Sequence, residues 1–428
     1  MKLRIMKRAA ALMVAAMVLA PVARATEVNE IWTYWGAGSE QAAIDALIAE
    51  SNKEFPNSPI KHKIVTGNNA EMRQALQLAF LGGNPPVAYQ SGMGLDLKSF
   101  VDGGRLASIE DVWAEAKGDD VFPPGLQRAL KFDGKPYGIP VNMAVISNVF
   151  YNKKIFAELG LTPPTTWEEF DAAAAKIKGA GYEALGNAGG PAWTLYNFYG
   201  PLVTTIGIDG YFKLASGEMA FDSPEMRKAM ELFTNSFAKN YMANWTGYKW
   251  TETADQFAQG KVGMYMNGDW TSAYLKEKGM KPGEDYDFFP APGTGGAAII
   301  QVDVVALTAG ASPEATAAGK DFLRAAAGTA GQAAFNEHKG SVAANLQTPD
   351  TVYDYIGKKT AVELKEAGEK NLILPNLYFL LPPDLSVEFG TQLEGYAQNP
   401  SPEALDTMLT SIETLRKQAK EDGKFVAW

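Results

Sequence analysis

The chain has 428 residues with no cysteine, two histidines, nine tryptophans and a formal net charge of −10. That length predicts two or three domains, and 46% hydrophobic with 21% charged residues is the balance of a soluble globular protein. Without cysteine there is no disulfide scaffold, thiol catalysis, Fe–S cluster or thiolate zinc site; two imidazoles nearly exclude a multi-histidine metal centre, and the acidic balance speaks against sequence-blind nucleic-acid binding.

In chain order, Lys2, Arg4, Lys7 and Arg8 precede an apolar run, Ala9–Ala20, then Pro21 and Ala23-Arg24-Ala25. A basic head, a short apolar middle and an A-x-A end predict a secretory signal peptide over residues 1–25. The run is too short for a permanent membrane span. Removing it takes away five basic residues and no acid, leaving 34 basic against 49 acidic side chains, a formal charge of −15. No lipobox cysteine follows, so the expected product is free in a bacterial periplasm.

Helices and β-prone runs then alternate. Ser39 opens a helix with Ile44, Leu47, Ile48 and Phe55 inward, and Thr166-Trp167-Glu168-Glu169 reads as a capping box. Ser223-Pro224-Glu225, Ser312-Pro313-Glu314 and Ser401-Pro402-Glu403 each place a capping hydroxyl, a first-turn proline and an acid in order. Met226, Ala229, Met230 and Phe233 follow the first of these at helical spacing, as do Leu405, Met408, Leu409, Ile412 and Leu415 after the third. Runs 31–35, 60–66, 145–151, 262–266 and 299–307 read as strands, which predicts α/β layers with mainly parallel sheet. Proline and glycine clusters near 140 and 300 bracket a block of domain size, so the chain is expected to cross between lobes more than once.

Catalytic motifs are absent: the chain carries no phosphate-loop signature, no H-E-x-x-H and no G-x-S-x-G. Gly293-Thr294-Gly295-Gly296 follows a proline and opens no helix, so it reads as a connection. His62 has basic neighbours that favour a solvated strand face, and His338 falls on a predicted loop. A Ser-His-Asp triad has no evident members.

What the chain holds in excess is aromatic, amide-rich loop sequence. Tyr34-Trp35, Tyr89-Gln90, Trp193, Trp245, Trp250, Trp270 and Tyr378-Phe379 lie at expected strand ends or in loops. Sugar rings offer apolar CH faces to indoles and hydroxyl edges to acids, amides and amines; Glu40, Gln90, Asn142, Asp269, Asp303 and Lys339 match that chemistry. Any single tryptophan is as readily core; that all are is much less expected. Asp303 interrupts the apolar run from Ile299 to Leu307. An unpaired carboxylate buried in a strand costs several kcal/mol, so it needs a partner or a ligand unless a bend keeps it wet.

The ordered set Leu81-Gly82-Gly83-Asn84-Pro85-Pro86-Val87, Tyr137-Gly138-Ile139-Pro140-Val141, Phe150-Tyr151-Asn152-Lys153, Pro164-Thr165-Thr166-Trp167-Glu168-Glu169-Phe170 and Asn267-Gly268-Asp269-Trp270 resembles extracellular solute-binding proteins of carbohydrate ABC importers. The resemblance is to the maltose-binding-protein-like group, nearest its glucose/mannose-type members, and spans nearly the whole mature chain. It implies an α/β, two-lobe periplasmic binding protein fold with a multi-crossing hinge and a ligand cleft between lobes. The expected lobes are 26–140 plus 304–337, and 141–303 plus 338–428.

By position, the resemblance makes Trp35 and Trp270 stacking faces, with Glu40, Gln90, Asp303 and Lys339 bonding hydroxyls. Trp193 and Trp250 complete the walls, and Asn142, Asp269 and Tyr378 join the ligand-binding set. Two histidines of the monosaccharide-type members are missing, at Ser91-Gly92-Met93 and near Tyr378-Phe379, which favours a glycoside or disaccharide over glucose. The expected partners are a small sugar and ABC importer permease subunits, with no nucleic acid, no metal and no cofactor, for a monomer that is not an enzyme. A secreted glycoside hydrolase would need two carboxyls about 5–10 Å apart, for which Glu40 and Asp303 are the nominees. A receptor for a polyol or a glycerol phosphodiester is the third reading, and a phosphate calls for arginines that these loops lack.

Overall fold

The structure, a computed structural model, describes residues 29–428, so the expected signal peptide lies outside the described residues. Five strands form the first large sheet: β1 (Asn29–Thr33), β2 (Ile60–Ile64), β3 (Ala88–Ser91), β6 (Gly138–Pro140) and β13 (Val304–Leu307), in the order β2-β1-β3-β13-β6. The second holds β8 (Asn148–Asn152), β9 (Glu183–Gly186), β10 (Val262–Met266) and β11 (Tyr286–Pro290), in the order β11-β8-β10-β9. A small hairpin, β4 (Lys131–Phe132) with β5 (Lys135–Pro136), stands apart.

Between the large sheets lies a three-stranded one, β14-β12-β7, made of β7 (Ala144–Val145), β12 (Ala298–Gln301) and β14 (Ile373–Pro375). In the chain, β7 falls between β6 and β8, and β12 between β11 and β13. β14 leads from the helices that follow β13 to the last long helices, Pro383–Gln398 and Pro402–Glu421. Each strand of this sheet is therefore one passage between the two halves of the molecule.

The expectation of mainly parallel sheet is corrected. β1 runs parallel to β2 and β3, and β10 to β9. However, β13 is antiparallel to both its neighbours, and so is β8. Each is the first strand after a passage: β8 opens the second sheet and the later strands run against it, while β13 re-enters the first sheet against the strands already there. The runs 299–307 and 145–151, read as single strands, each break in two because their halves belong to different sheets.

The first core packs Ile31, Leu47, Tyr89, Ile139, Val305 and Phe322. Val342, Ala343, Ala344 and Tyr353 also join it. The second packs Phe150, Phe170, Phe198, Tyr211, Phe233, Tyr265 and Phe389. Helix starts follow the local chemistry: Ser223, Ser312 and Ser401 hydroxyls accept from the amides of Met226, Ala315 and Ala404 at 3.3, 3.2 and 3.1 Å. Thr166 and Glu169 make the reciprocal capping box. Phe55 lies just past the helix Gly38–Glu54.

Both histidines sit differently from expectation. His62 is mostly covered, with Nε2 2.7 Å from Thr33 Oγ1 and Nδ1 3.6 Å from Asp45, and burial pushes its pKa down. His338 is an exposed residue in the last turn of the helix Thr329–Lys339.

Glu363, on the helix Tyr355–Glu369, accepts from Asn148 Nδ2 at 2.7 Å. Burial pushes its carboxyl from 4.5 up to about 7. A carboxyl raised on folding holds more protons folded than unfolded, so its contribution to stability falls as pH climbs from about 4.5 to about 7. Glu363→Gln is expected to raise Tm at pH 8 by a few degrees and to leave it unchanged near pH 4. Equal shifts at both pH values in thermal unfolding would rule that out.

Candidate functional site

A cavity of about 260 Å³ lies between the two cores. Tyr34, Trp35 and Glu40 line it from the first half, with the first turn of the helix Asn69–Leu81. Trp193, Tyr196, Trp250 and Trp270 line it from the second. The passages and their flanks supply Gln301, Asp303, Lys339, Tyr378 and Phe379. Placement follows from the fold, because side chains that leave the carboxyl ends of α/β strands point into the crevice between layers. Tyr34-Trp35 follows the end of β1, and Asp269-Trp270 comes three residues after β10.

Trp193, Tyr196 and Trp270 form an edge-to-face cluster. Centroids lie 6.4 Å apart from Trp270 to each of the others and 5.6 Å apart between Trp193 and Tyr196. Trp35 packs at 4.9 Å on Phe335, and Trp250 at 5.3 Å on Tyr274. Trp245, another loop aromatic, is buried against Tyr241 in the second core and does not line the cavity.

Asp303 stands in the break between β12 and β13 and is 4% exposed. Its carboxylate accepts from Gln90 Nε2 at 3.1 Å and Asn142 Nδ2 at 3.0 Å. The Gln90 amide is oriented in turn by its oxygen, which accepts the Tyr34 N–H at 3.0 Å. Two neutral donors hold this acid, leaving acceptor capacity for a ligand. The Tyr34 and Tyr196 phenols are pushed well up in pKa, first by burial and then by the Asp303 charge, so both stay protonated donors.

Lys339 is buried and ion-paired with Glu40, and its Nζ sits 5.2 Å from the Trp270 ring centroid. Among the described residues, the cavity therefore carries the acids Glu40, Glu71 and Asp303 against one lysine and no arginine. Among the described residues, no group of His, Asp or Glu could hold a metal ion, and no helix is long and apolar enough to cross a membrane.

Eight of the residues expected to bind ligand line the cavity: Trp35, Glu40, Trp193, Trp250, Trp270, Asp303, Lys339 and Tyr378. Gln90, Asn142 and Asp269 do not line it; they stand behind it. Gln90 and Asn142 hold Asp303, while Asp269 accepts the Val145 N–H at 2.8 Å and so ties the start of the Trp270 helix to β7. Burial pushes the Asp269 carboxyl well above the usual range. Tyr34, Gln301, Tyr196, Phe379 and the segment 67–71 also line the cavity and are not among the residues predicted to bind ligand. Tyr34 and Phe379 stood in the aromatic pairs already noted, and Gln301 left a signal as a second polar side chain inside the run that made Asp303 conspicuous.

Two α/β halves, three passages between them and an aromatic, acid-bearing cavity at their junction define a two-lobe periplasmic-type binding protein. The chain belongs to the bacterial extracellular solute-binding protein family, which it matches over residues 37–333. A probable sugar-binding periplasmic protein of Rhizobium meliloti is 30% identical over 371 residues, 85% of this chain and 87% of that one. An uncharacterized ABC transporter extracellular-binding protein of Pyrococcus horikoshii is 28% identical over 352 residues, 81% of this chain and 78% of that one.

Among solved structures, the bacterial solute receptor AcbH, described with an exclusive preference for β-D-galactopyranose, superposes with a TM-score of 0.80 at 22% identity. That match covers 91% of this chain and 98% of AcbH. A chitin oligosaccharide binding protein gives 0.81 at 20% identity, covering 92% and 100%. These two share the fold, and the family's members are transport binding proteins.

Proposed function

We propose that this protein captures a neutral sugar between its lobes in the periplasm and delivers it to the permease of an ABC importer, as a monomer and without catalysis. A disaccharide or glycoside is the preferred ligand. The observation that carries the reading is Asp303, a buried carboxylate held by neutral amides and facing a cavity walled by Trp35, Trp193, Trp250 and Trp270. Hydroxyl edges would donate to Asp303 and meet the Glu40–Lys339 pair, and the indoles would cover the CH faces. The names of the sugar-binding relatives support the same ligand class.

The sequence places the lobes at 26–140 plus 304–337, and 141–303 plus 338–428, after removal of residues 1–25; the packing of Val342, Ala343, Ala344 and Tyr353 in the first core supports moving the third crossing to β14. Ligand contacts complete only when the lobes meet would shift the population toward the closed form. Hydrolysis is disfavoured by what occupies the nominated carboxyls: Glu40 is paired with Lys339, and Asp303 with two amides. A phosphodiester is disfavoured by a cavity whose described lining holds three acids and no arginine.

The test is a thermal-shift screen of mono- and disaccharides, polyols and glycerol phosphodiesters, followed by calorimetry. A sugar at 100 times its Kd is expected to stabilise the protein by about 2.7 kcal/mol. A shift with phosphodiesters or polyols alone would overturn the sugar reading. Chromatographic detection of cleaved oligosaccharide would overturn the receptor reading.

A further inference from the structure

The three passages between the halves are joined by main-chain bonds of the central sheet and also by two fully buried asparagines, one at each end of it. Asn142 lies just before β7. Its Nδ2 donates to Asp303 Oδ2 at 3.0 Å and to Ser341 Oγ at 3.2 Å, and its Oδ1 accepts the Asp303 N–H at 2.9 Å. One side chain thus touches the passage at 142–145, the one at 301–304 and the segment that leaves the helix Thr329–Lys339. Next to it, Met143 and Val342 form a β-bridge, and Ser341 Oγ donates onward to Asn336 Oδ1 at 2.8 Å.

Asn376 follows β14 directly. Its Nδ2 donates to Gln301 Oε1 at 2.7 Å, and its N–H donates to Ile300 O at 2.9 Å. Its Oδ1 accepts from Tyr199 Oη at 2.6 Å and from the Tyr378 N–H at 3.0 Å. The third passage is thereby fastened to the second and to the helix Pro191–Ala215 of the second core.

Both asparagines grip a cavity residue with one group and a passage with another: Asp303 for Asn142, Gln301 and Tyr378 for Asn376. Neither reaches the cavity itself. An amide is the side chain that donates and accepts from one small planar group; aspartate keeps the acceptors and loses the donors, and alanine loses both. A ligand that moves Asp303 or Gln301 moves the passages through these amides.

We propose that Asn142 and Asn376 are positioning residues that couple the cavity to the three passages and so set the equilibrium between open and closed lobes. The benefit to uptake rests on the ligand-capture reading, but the tie itself is testable without ligand. If only the competent conformer binds, apparent Kd scales inversely with its population, so a looser tie weakens binding with every contact still present.

The chain has no cysteine, so Lys61→Cys and Lys176→Cys, exposed positions in the two halves, can carry a pair of spin labels. Dipolar distance distributions would be recorded without ligand for the labelled full chain and for its Asn142→Ala and Asn376→Ala variants. Asn142→Asp and Asn376→Asp serve where an alanine variant does not fold. Asn152→Ala is the control: a buried helix cap within the second half whose side-chain hydrogen bonds go to Lys154, Ile155 and Phe257 and not to a passage.

The Asn142 and Asn376 variants are expected to broaden the distribution and to change the ratio of its populations by roughly tenfold, about the net worth of one of the three side-chain hydrogen bonds that each asparagine makes. The control is expected to match the parent. A parental distribution in the folded Asn142 and Asn376 variants overturns the proposal. So does an equal change in Asn152→Ala, which would make the effect general loosening. Failure of every sugar to bind the parent would count against the ligand reading and leave this result standing.

Discussion

Replacing Asp303 by alanine is expected to abolish sugar binding measurable by calorimetry, a loss of at least about 3 kcal/mol. Two costs add. The ligand loses a charged acceptor, whose hydrogen bonds are worth about 1.5–3 kcal/mol. In addition, Gln90 Nε2 and Asn142 Nδ2 lose the oxygen they were aimed at, and each stranded buried donor costs about 1–3 kcal/mol or drifts into the cavity. Asp303→Asn is expected to recover little although it keeps the volume. Its one carbonyl oxygen can accept from only one of the two amides, and its NH₂ then faces the other as donor against donor. Unchanged affinity in both variants would remove Asp303 from the binding site.

That pair of donors also marks where reading from sequence stops. Helix starts were legible because capping is local: Ser223 and Ser401 announce themselves within four residues and cap as expected. Asp303 was conspicuous because a charge inside an apolar run is a local anomaly. Its setting was not, since the partners are 213 and 161 residues away in the chain. Gln90 and Asn142 could be singled out by residue type, whereas their position behind the carboxylate needed the sheets to be assembled. Tyr196 was illegible for the opposite reason. It belongs to the apolar helical segment Pro191–Ala215, which kinks at Gly207, and reads as core, and only the packing of Trp193 and Trp270 against it reveals a ring at the cavity wall. The antiparallel entry of β8 and β13 was likewise beyond local pattern, because strand direction depends on where the chain returns from and not on the residues of the strand.

Trp270→Ala is expected to weaken sugar binding by about 2 kcal/mol or more, roughly thirtyfold, the usual cost of truncating a buried aromatic anchor. It should also destabilise the fold by about 3–5 kcal/mol, because the ring is 5% exposed and packs on Trp193 and Tyr196. The two losses have to be separated before the ring can be counted as a ligand contact, and Gly268 provides the means. A Cβ at Gly268 would lie 2.1 Å from the Trp270 ring, so the indole is folded back over a position that has room only for hydrogen. Gly268→Ala keeps the indole and forces it to move, while Trp270→Phe keeps a flat apolar face in nearly the same place. If Trp270 stacks on the ligand, Gly268→Ala should lose affinity out of proportion to its change in Tm, and Trp270→Phe should retain much of both. If the ring serves packing alone, affinity in all three variants will simply follow the folded fraction, and a folded Gly268→Ala protein will bind sugar as tightly as the parent.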